Sequence, residues 1–159
     1  MTEKVLVSGG AGFIGSHLTE ALLAKGYCVT VIDNLACGHK ENLPDHKNLT
    51  FMNRDICDPN SLRSCFHGID WVFHLAGIAD IVPSIENPSA YFKANVEGTL
   101  NMLEFAHKAG VKRFVYAASS SSYGVPNTYP TPETAPINPQ YPYALTKHMG
   151  EELVMHWEK

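Results

Sequence analysis

No apolar run in the 159 residues approaches the ~20 consecutive positions that a membrane-spanning helix needs. Basic residues are scarce and form no cluster. Twelve Lys and Arg stand against sixteen Asp and Glu, a formal net charge of −4. That balance argues against general nucleic-acid or anionic-membrane binding. It leaves room for an anionic small molecule held by backbone amides. Cysteine is sparse too. Cys28, Cys37, Cys57 and Cys65 include no C-x-x-C pair, so they are read as reduced thiols of a cytoplasmic protein rather than a disulfide framework. The histidines are scattered. His148 and His156 lie two helical turns apart with no ligand between them, and no metal site is expected. The start, Met-Thr-Glu-Lys, runs straight into apolar residues and glycines. It has no basic n-region or cleavage site, so no signal peptide is read.

What is present is ordinary globular material. Apolar residues make up 45% and charged residues 18%, which excludes a disordered chain or a long coiled coil. The length fits one domain, residues 1–159. A chain this size buries ~70% of its unfolded surface and needs no staple.

Short apolar runs alternate with helical patterns. The runs are Lys4–Ser8, Cys28–Ile32, Leu49–Asn53, Trp71–Leu75 and Arg113–Ala118. Helical patterns cover Gly12–Lys25, Asp58 to about His67, Asn87–Gly110, and Tyr143 to about Trp157; Ser119–Pro142 reads as loop. Strands apolar on both faces and separated by helices mean parallel βαβ units. The expected class is α/β, a doubly wound parallel sheet of Rossmann type with helices on both faces.

The first strand leads into Gly9-Gly10-Ala11-Gly12-Phe13-Ile14-Gly15. A Gly-x-x-Gly-x-x-Gly turn between strand and helix suits a pyrophosphate. Gly9 makes the turn, Gly12 lets the backbone approach the phosphates, and Gly15 packs the helix on the sheet. The helix N-terminus adds free N–H groups and a positive dipole end. Asp33 stands 21 residues after Gly12, at the end of the second run, and Asn34 follows it. A carboxylate there accepts bonds from ribose hydroxyls and repels a 2′-phosphate, so NAD is expected rather than NADP.

Five stretches taken in order make the chain resemble the extended short-chain dehydrogenase/reductase family, and within it the nucleotide-sugar epimerases and dehydratases. They are Gly9–Gly15, Asp55-Ile56, His74-Leu75-Ala76-Gly77, Asn95, and Tyr143-Ala144-Leu145-Thr146-Lys147. The fourth-strand motif usually ends Ala-Ala, whereas here it ends Ala76-Gly77. The resemblance implies a cofactor site of Gly9, Gly12, Phe13, Ile14, Gly15, Asp33, Asn34, Asp55, Ile56, Leu75, Ala76, Asn95, Tyr143 and Lys147. Asp55 and Ile56 would lie beside the adenine, and Asn95 would support Lys147 through a water or a backbone group. Ser84, Ser120 and Ser121 are expected to meet substrate.

Tyr143 and Lys147 are four residues apart, on one helix face. A tyrosine hydroxyl is a poor base at neutral pH, but a neighbouring ammonium and a positive nicotinamide both favour the phenolate. The resemblance makes Tyr143 the base at a sugar hydroxyl, Lys147 its support and the holder of the nicotinamide ribose, and Ser119, four residues before Tyr123, the hydroxyl partner. Family dehydratases and decarboxylases carry an acidic residue two positions before that Tyr, and the glucose-type dehydratases carry Asp-Glu three and two before it. Here those positions are Ser120 and Ser121, and two hydroxyls cannot expel water from a sugar. The expected activity is therefore NAD-dependent epimerisation of a UDP-sugar at C4. The alternatives are a non-catalytic NAD-binding module or another nucleotide-sugar oxidoreductase or dehydratase.

Family members run about twice this length. The chain is read as the N-terminal part of such an enzyme, without the sixth strand and substrate domain, and inactive by itself. In the 88–109 helix, Phe92, Val96, Leu100 and Leu103 mark one apolar face, and Tyr91, Ala94, Met102 and Phe105 another. Two apolar faces need two partners. With the family's helix pairing, this points to a homodimer through helices 88–109 and 143–157.

Overall fold

The computed structural model describes residues 3–159. Five strands form one parallel sheet: β1 (Lys4–Ser8), β2 (Cys28–Asp33), β3 (Leu49–Asn53), β4 (Trp71–His74) and β5 (Arg113–Tyr116). Their order is β3-β2-β1-β4-β5, the expected doubly wound arrangement. The helices are α1 (Phe13–Ala24), α2 (Pro59–Leu62), α3 (Ile81–Glu86), α4 (Pro88–Phe92), α5 (Gly98–Lys108) and α6 (Pro142–Glu158). No helix among the described residues is long and apolar enough to cross a membrane.

The pleat of β1 builds both layers. Val5 and Val7 pack with Leu22, Leu23, Val29 and Val31 under α1. Leu6 points the other way, to Ile32, Leu62, Phe66, Val72 and Met102 under α2 and α5. All three β1 residues are fully buried, each contributing about 1.5–3 kcal/mol of transfer free energy.

Two details place the site. Ser8, His74 and Tyr116 are in register across β1, β4 and β5, so three strand ends open on one level. The crevice lies there, where the chain order reverses between β1 and β4. The second detail corrects the sequence reading. The 88–110 segment is not one α-helix, because Lys93–Glu97 forms a π-turn between α4 and α5. The extra residue rotates the faces. Tyr91, Val96, Met102 and Leu103 are all buried, drawn from both expected faces, while Phe92 stays exposed. Helix α6 packs against α3, α4, α5 and the π-turn.

Candidate functional site

Helix α1 starts without help from a side chain. Its N-cap is Gly12, no side chain caps it, and its first turn holds no acid. The N-terminal N–H groups are thus free for a ligand anion. The glycines are sterically required. Gly9 has φ +70, and a Cβ there would lie 2.7 Å from Ala76 N. A Cβ at Gly15 would lie 2.2 Å from Gly9 O. Two adjoining cavities of about 330 and 300 Å³ share Gly9, Gly12, Leu75, Gly77 and Ile78. One runs toward Asp33, Asn34, Asp55 and Ile56; the other holds Phe13, Ile14, Gly15, Tyr143 and Lys147. Ala76 lines the first, and Leu75 lines both. The backbone cradle that a Cβ would fill is the feature that fits a dinucleotide.

At the acidic end, the carboxylates already hold the loops. Asp33 Oδ2 accepts from Ala11 N at 3.0 Å and Oδ1 from Leu35 N at 2.8 Å. Asp55 accepts from Cys57 N at 2.8 Å and Asn34 Nδ2 at 3.3 Å. Burial works to raise the Asp55 pKa, but the Cys57 and Asn34 hydrogen bonds outweigh it and hold the group below its usual value. Each carboxylate oxygen accepts more than one bond, so both can still take a ligand hydroxyl or amine. Burial, then the Asp55 charge, pushes the Cys57 thiol up to about 12, so it stays protonated beside the cleft. Ile56 lines the cleft, but its carbonyl is taken by Asn101 Nδ2 at 2.9 Å.

At the other end, side chains converge. Tyr143 OH donates to Ser119 Oγ at 3.4 Å. Ser119 Oγ lies 2.7 Å from Ser121 Oγ and caps the short 3₁₀ turn Ser120–Tyr123. Lys147 is buried, and burial lowers its pKa to about 8. The structure thus brings Ser119, Ser121, Tyr143 and Lys147 together. Ser120 is exposed and lines neither cavity.

Two other expected site residues have partners within the fold. Ser84 is fully buried in α3 and its hydroxyl donates to Ile81 O at 2.6 Å. Asn95 is buried behind the cleft, where Oδ1 accepts from Ile78 N at 2.8 Å and Nδ2 donates to Ile78 O at 3.0 Å and Thr146 Oγ1 at 3.1 Å. Thr146 in turn donates to Tyr143 O at 3.0 Å. The amide therefore ties the loop after β4 to α6. Gly77 matters here, since a Cβ on it would lie 2.8 Å from Asn95 Oδ1.

A buried chain of polar groups escaped sequence reasoning. Thr99 Oγ1 donates to Asn95 O at 2.7 Å and so accepts from His74 Nε2 at 3.0 Å. That fixes His74 as the Nε2–H tautomer, with Nδ1 accepting from Ser8 Oγ at 2.6 Å. Burial first, then the Lys147 charge, pushes the His74 pKa down to about 3, so the ring is neutral. The available clue was a histidine ending an apolar strand run, where burial demands partners.

The sequence profile of the NAD dependent epimerase/dehydratase family matches residues 5–159. The chain is 40% identical over 154 residues to the UDP-glucose 4-epimerase of Mycolicibacterium smegmatis, covering 93% of this chain and 49% of that protein. It is 38% identical over 157 residues to the Bacillus subtilis UDP-glucose 4-epimerase, covering 94% and 46%. Among solved structures, the Thermotoga maritima UDP-glucose 4-epimerase with UDP-glucose superposes with a TM-score of 0.92 at 38% identity, over 97% of this chain and 50% of that one. The Thermus thermophilus UDP-glucose 4-epimerase in complex with NAD gives 0.90 at 40% identity, over 97% and 50%. The chain spans about half the length of the relatives it matches. Its Rossmann-type sheet, its glycine cradle and these matches agree: the chain belongs to the NAD dependent epimerase/dehydratase family, and its cofactor is NAD.

Proposed function

We propose that this chain is the NAD-binding and base-bearing part of an enzyme that epimerises a UDP-sugar at C4. The observation that carries the reading is Tyr143 OH at 3.4 Å from Ser119 Oγ, with Lys147 in the same cavity as Tyr143. The adjoining serine turn, Ser119–Ser122, bears hydroxyls and no carboxyl. Removal of water from a sugar calls for a second acid that protonates the departing hydroxide; epimerisation expels nothing and needs only the tyrosine.

NAD, which the Gly9–Gly15 cradle, Asp33 and Lys147 would hold, would supply the hydride acceptor and donor for sugar C4. Tyr143 takes the proton of the C4 hydroxyl and gives it back after the keto sugar has turned over. Ser119 donates to the reacting oxygen while its Oγ accepts from Ser121 Oγ. Lys147 stabilises the phenolate and holds the nicotinamide ribose. Asp33 accepts from the adenosine ribose, and the N–H groups of Phe13 and Ile14 face the pyrophosphate. A second copy pairs along the exposed apolar side of α4 and α6, where Phe92 and Leu145 stand. A single-copy mass by light scattering at high concentration would remove that dimer.

The test is interconversion of UDP-glucose with UDP-galactose, and of their N-acetylated counterparts, by the longest natural protein that carries these residues. Production of a 4-keto-6-deoxy sugar instead of the C4 epimer would replace the reading with dehydration.

A further inference from the structure

We propose that Tyr116 is the positioning residue for Lys147, gripping it at both ends: the ring takes the ammonium and the hydroxyl takes the main-chain carbonyl. The inference rests on the reading of Lys147 as the group that serves Tyr143 and the cofactor ribose. Lys147 Nζ sits 4.2 Å from the Tyr116 ring centroid, well inside cation–π range. Among the described residues no carboxylate comes within salt-bridge distance of that nitrogen. The aromatic face is therefore the charge's partner in a site that strips its water, where such contacts are strongest.

The second grip is independent of the first. Tyr116 OH donates to Lys147 O at 3.2 Å. Burial, then the charge of Glu151, raises the Tyr116 pKa, so the hydroxyl keeps its proton and remains a donor. Space for it comes from α6 itself. A Cβ at Gly150 would lie 2.4 Å from that hydroxyl oxygen, so glycine one turn after the lysine lets the strand and helix meet. Tyr116 ends β5 in register with His74, and the two rings lie 5.7 Å apart. The lysine is thus referenced to the rigid end of the sheet, not to its own helix alone. Without this hold, a four-carbon stem samples many rotamers, and the ammonium loses its fixed distance to the base.

The test reads Lys147 directly and needs no turnover. The Lys147 Cε resonance in the 13C-labelled chain is titrated by NMR, assigned with Lys147→Arg. The parent midpoint is expected near pH 8. An aromatic face favours the charged form, so Tyr116→Leu should lower the midpoint further, by roughly one unit. Tyr116→Phe keeps the ring and should stay within about 0.3 unit of the parent. Gly150→Ala, which pushes the ring away, should move the midpoint down as Tyr116→Leu does and stands in if that variant does not fold. The hydroxyl is read by amide exchange across residues 147–151, expected roughly 5-fold faster in Tyr116→Phe. A parental midpoint in Tyr116→Leu or Gly150→Ala, or a Tyr116→Phe midpoint as low as that of Tyr116→Leu, overturns the ring contact. Unchanged exchange in Tyr116→Phe overturns the hydroxyl contact. Absence of epimerisation would overturn the functional reading and leave these titrations as they are.

Discussion

The two ends of the crevice are built from different materials. The end under β1–β3 is made of backbone. Glycines leave the space, helix α1 presents free N–H groups, and Asp33 and Asp55 pin the loops through main-chain hydrogen bonds. The end under β4 and β5 is made of side chains brought from far apart: Ser119, Tyr143 and Lys147, braced by Ser8, His74, Thr99, Asn95 and Thr146. Burial separates the central strand from the outer one. From Val5 on, β1 is buried throughout, whereas β5 has no fully buried residue. A cofactor's phosphates and riboses are constant, so a fixed backbone serves them. A reacting sugar hydroxyl calls for groups that gain and lose protons, and only side chains do that.

If this division is right, single substitutions should strike the ends differently. The largest effect is expected at the side-chain end. Tyr143→Phe removes the base without altering the fold, and in the epimerising protein kcat should fall by about 10²–10⁴. NAD affinity measured by calorimetry should hardly move. Ser119→Ala should cost less than Tyr143→Phe, and Ser120→Ala least, since Ser119 is the serine that meets the Tyr143 hydroxyl and Ser120 is exposed. A Ser120→Ala loss larger than that of Ser119→Ala would shift the register of the serine turn.

Next comes the brace. His74→Leu deletes a ring that accepts from Ser8 and donates to Thr99; it empties a buried ring's space and leaves the Ser8 hydroxyl without its acceptor, which costs about 1–3 kcal/mol by itself. A drop of about 2–4 kcal/mol in unfolding free energy is expected by urea titration. The same residue sets an acid limit. Its folded pKa is about 3, against 6.5 when exposed. Below about pH 6.5 the unfolded chain takes up a proton that the folded chain refuses. Stability should therefore fall from there toward pH 3. The variant should lose that part of the slope, and an unchanged slope would assign the acid limit to carboxylates.

These ends were unequally legible in the sequence. The glycine turn, β1, β3 and the position of Asp33 follow from local patterns, because every requirement they meet lies within a few residues. The π-turn at Lys93–Glu97 does not, since it is held by Asn95 bonds to Ile78 and Thr146, 17 and 51 residues away. Helix α3 was invisible for a related reason. Ile81-Val82-Pro83 is a poor helical start, and the segment is entered from Asp80 at φ +81, a left-handed conformation that a residue other than glycine rarely adopts. The second helical pattern extends to about His67 in the sequence, but the helix ends at Leu62, and the following turns pack Cys65 and Phe66 into the core instead. Asn95 could be suspected from its poor propensity, but its partners could not be named.

A smaller effect is expected at the backbone end. Asp33→Ala removes the ribose acceptor and with it the charge that repels a 2′-phosphate, so the preference for NAD over NADP should narrow. The structure adds a second consequence, because Asp33 also holds Ala11 N and Leu35 N. NAD binding itself should weaken by about 10-fold, the worth of a charged hydrogen bond. Asp33→Asn retains one acceptor oxygen and should weaken it less. Tighter binding of NADP than NAD by the unaltered protein would contradict the role given to Asp33.

The smallest effect in free energy falls on β5, the last strand in the sheet order. It pairs with β4 on one side, and its Val115 is 41% exposed. An apolar edge without proline or inward charge presents unpaired N–H and C=O groups to another chain. The 159-residue chain should therefore self-associate as its concentration rises. Val115→Lys places a charge on the exposed face of that edge and changes no group that lines either cavity. Stability should shift by no more than about 0.5 kcal/mol, and NAD affinity should be unchanged. Sedimentation should show the association reduced. Association that survives Val115→Lys but is lost on charging Phe92 or Leu145 would move the contact from the sheet edge to the outer side of α4 and α6. The side-chain end would then meet its neighbour through helices rather than strands.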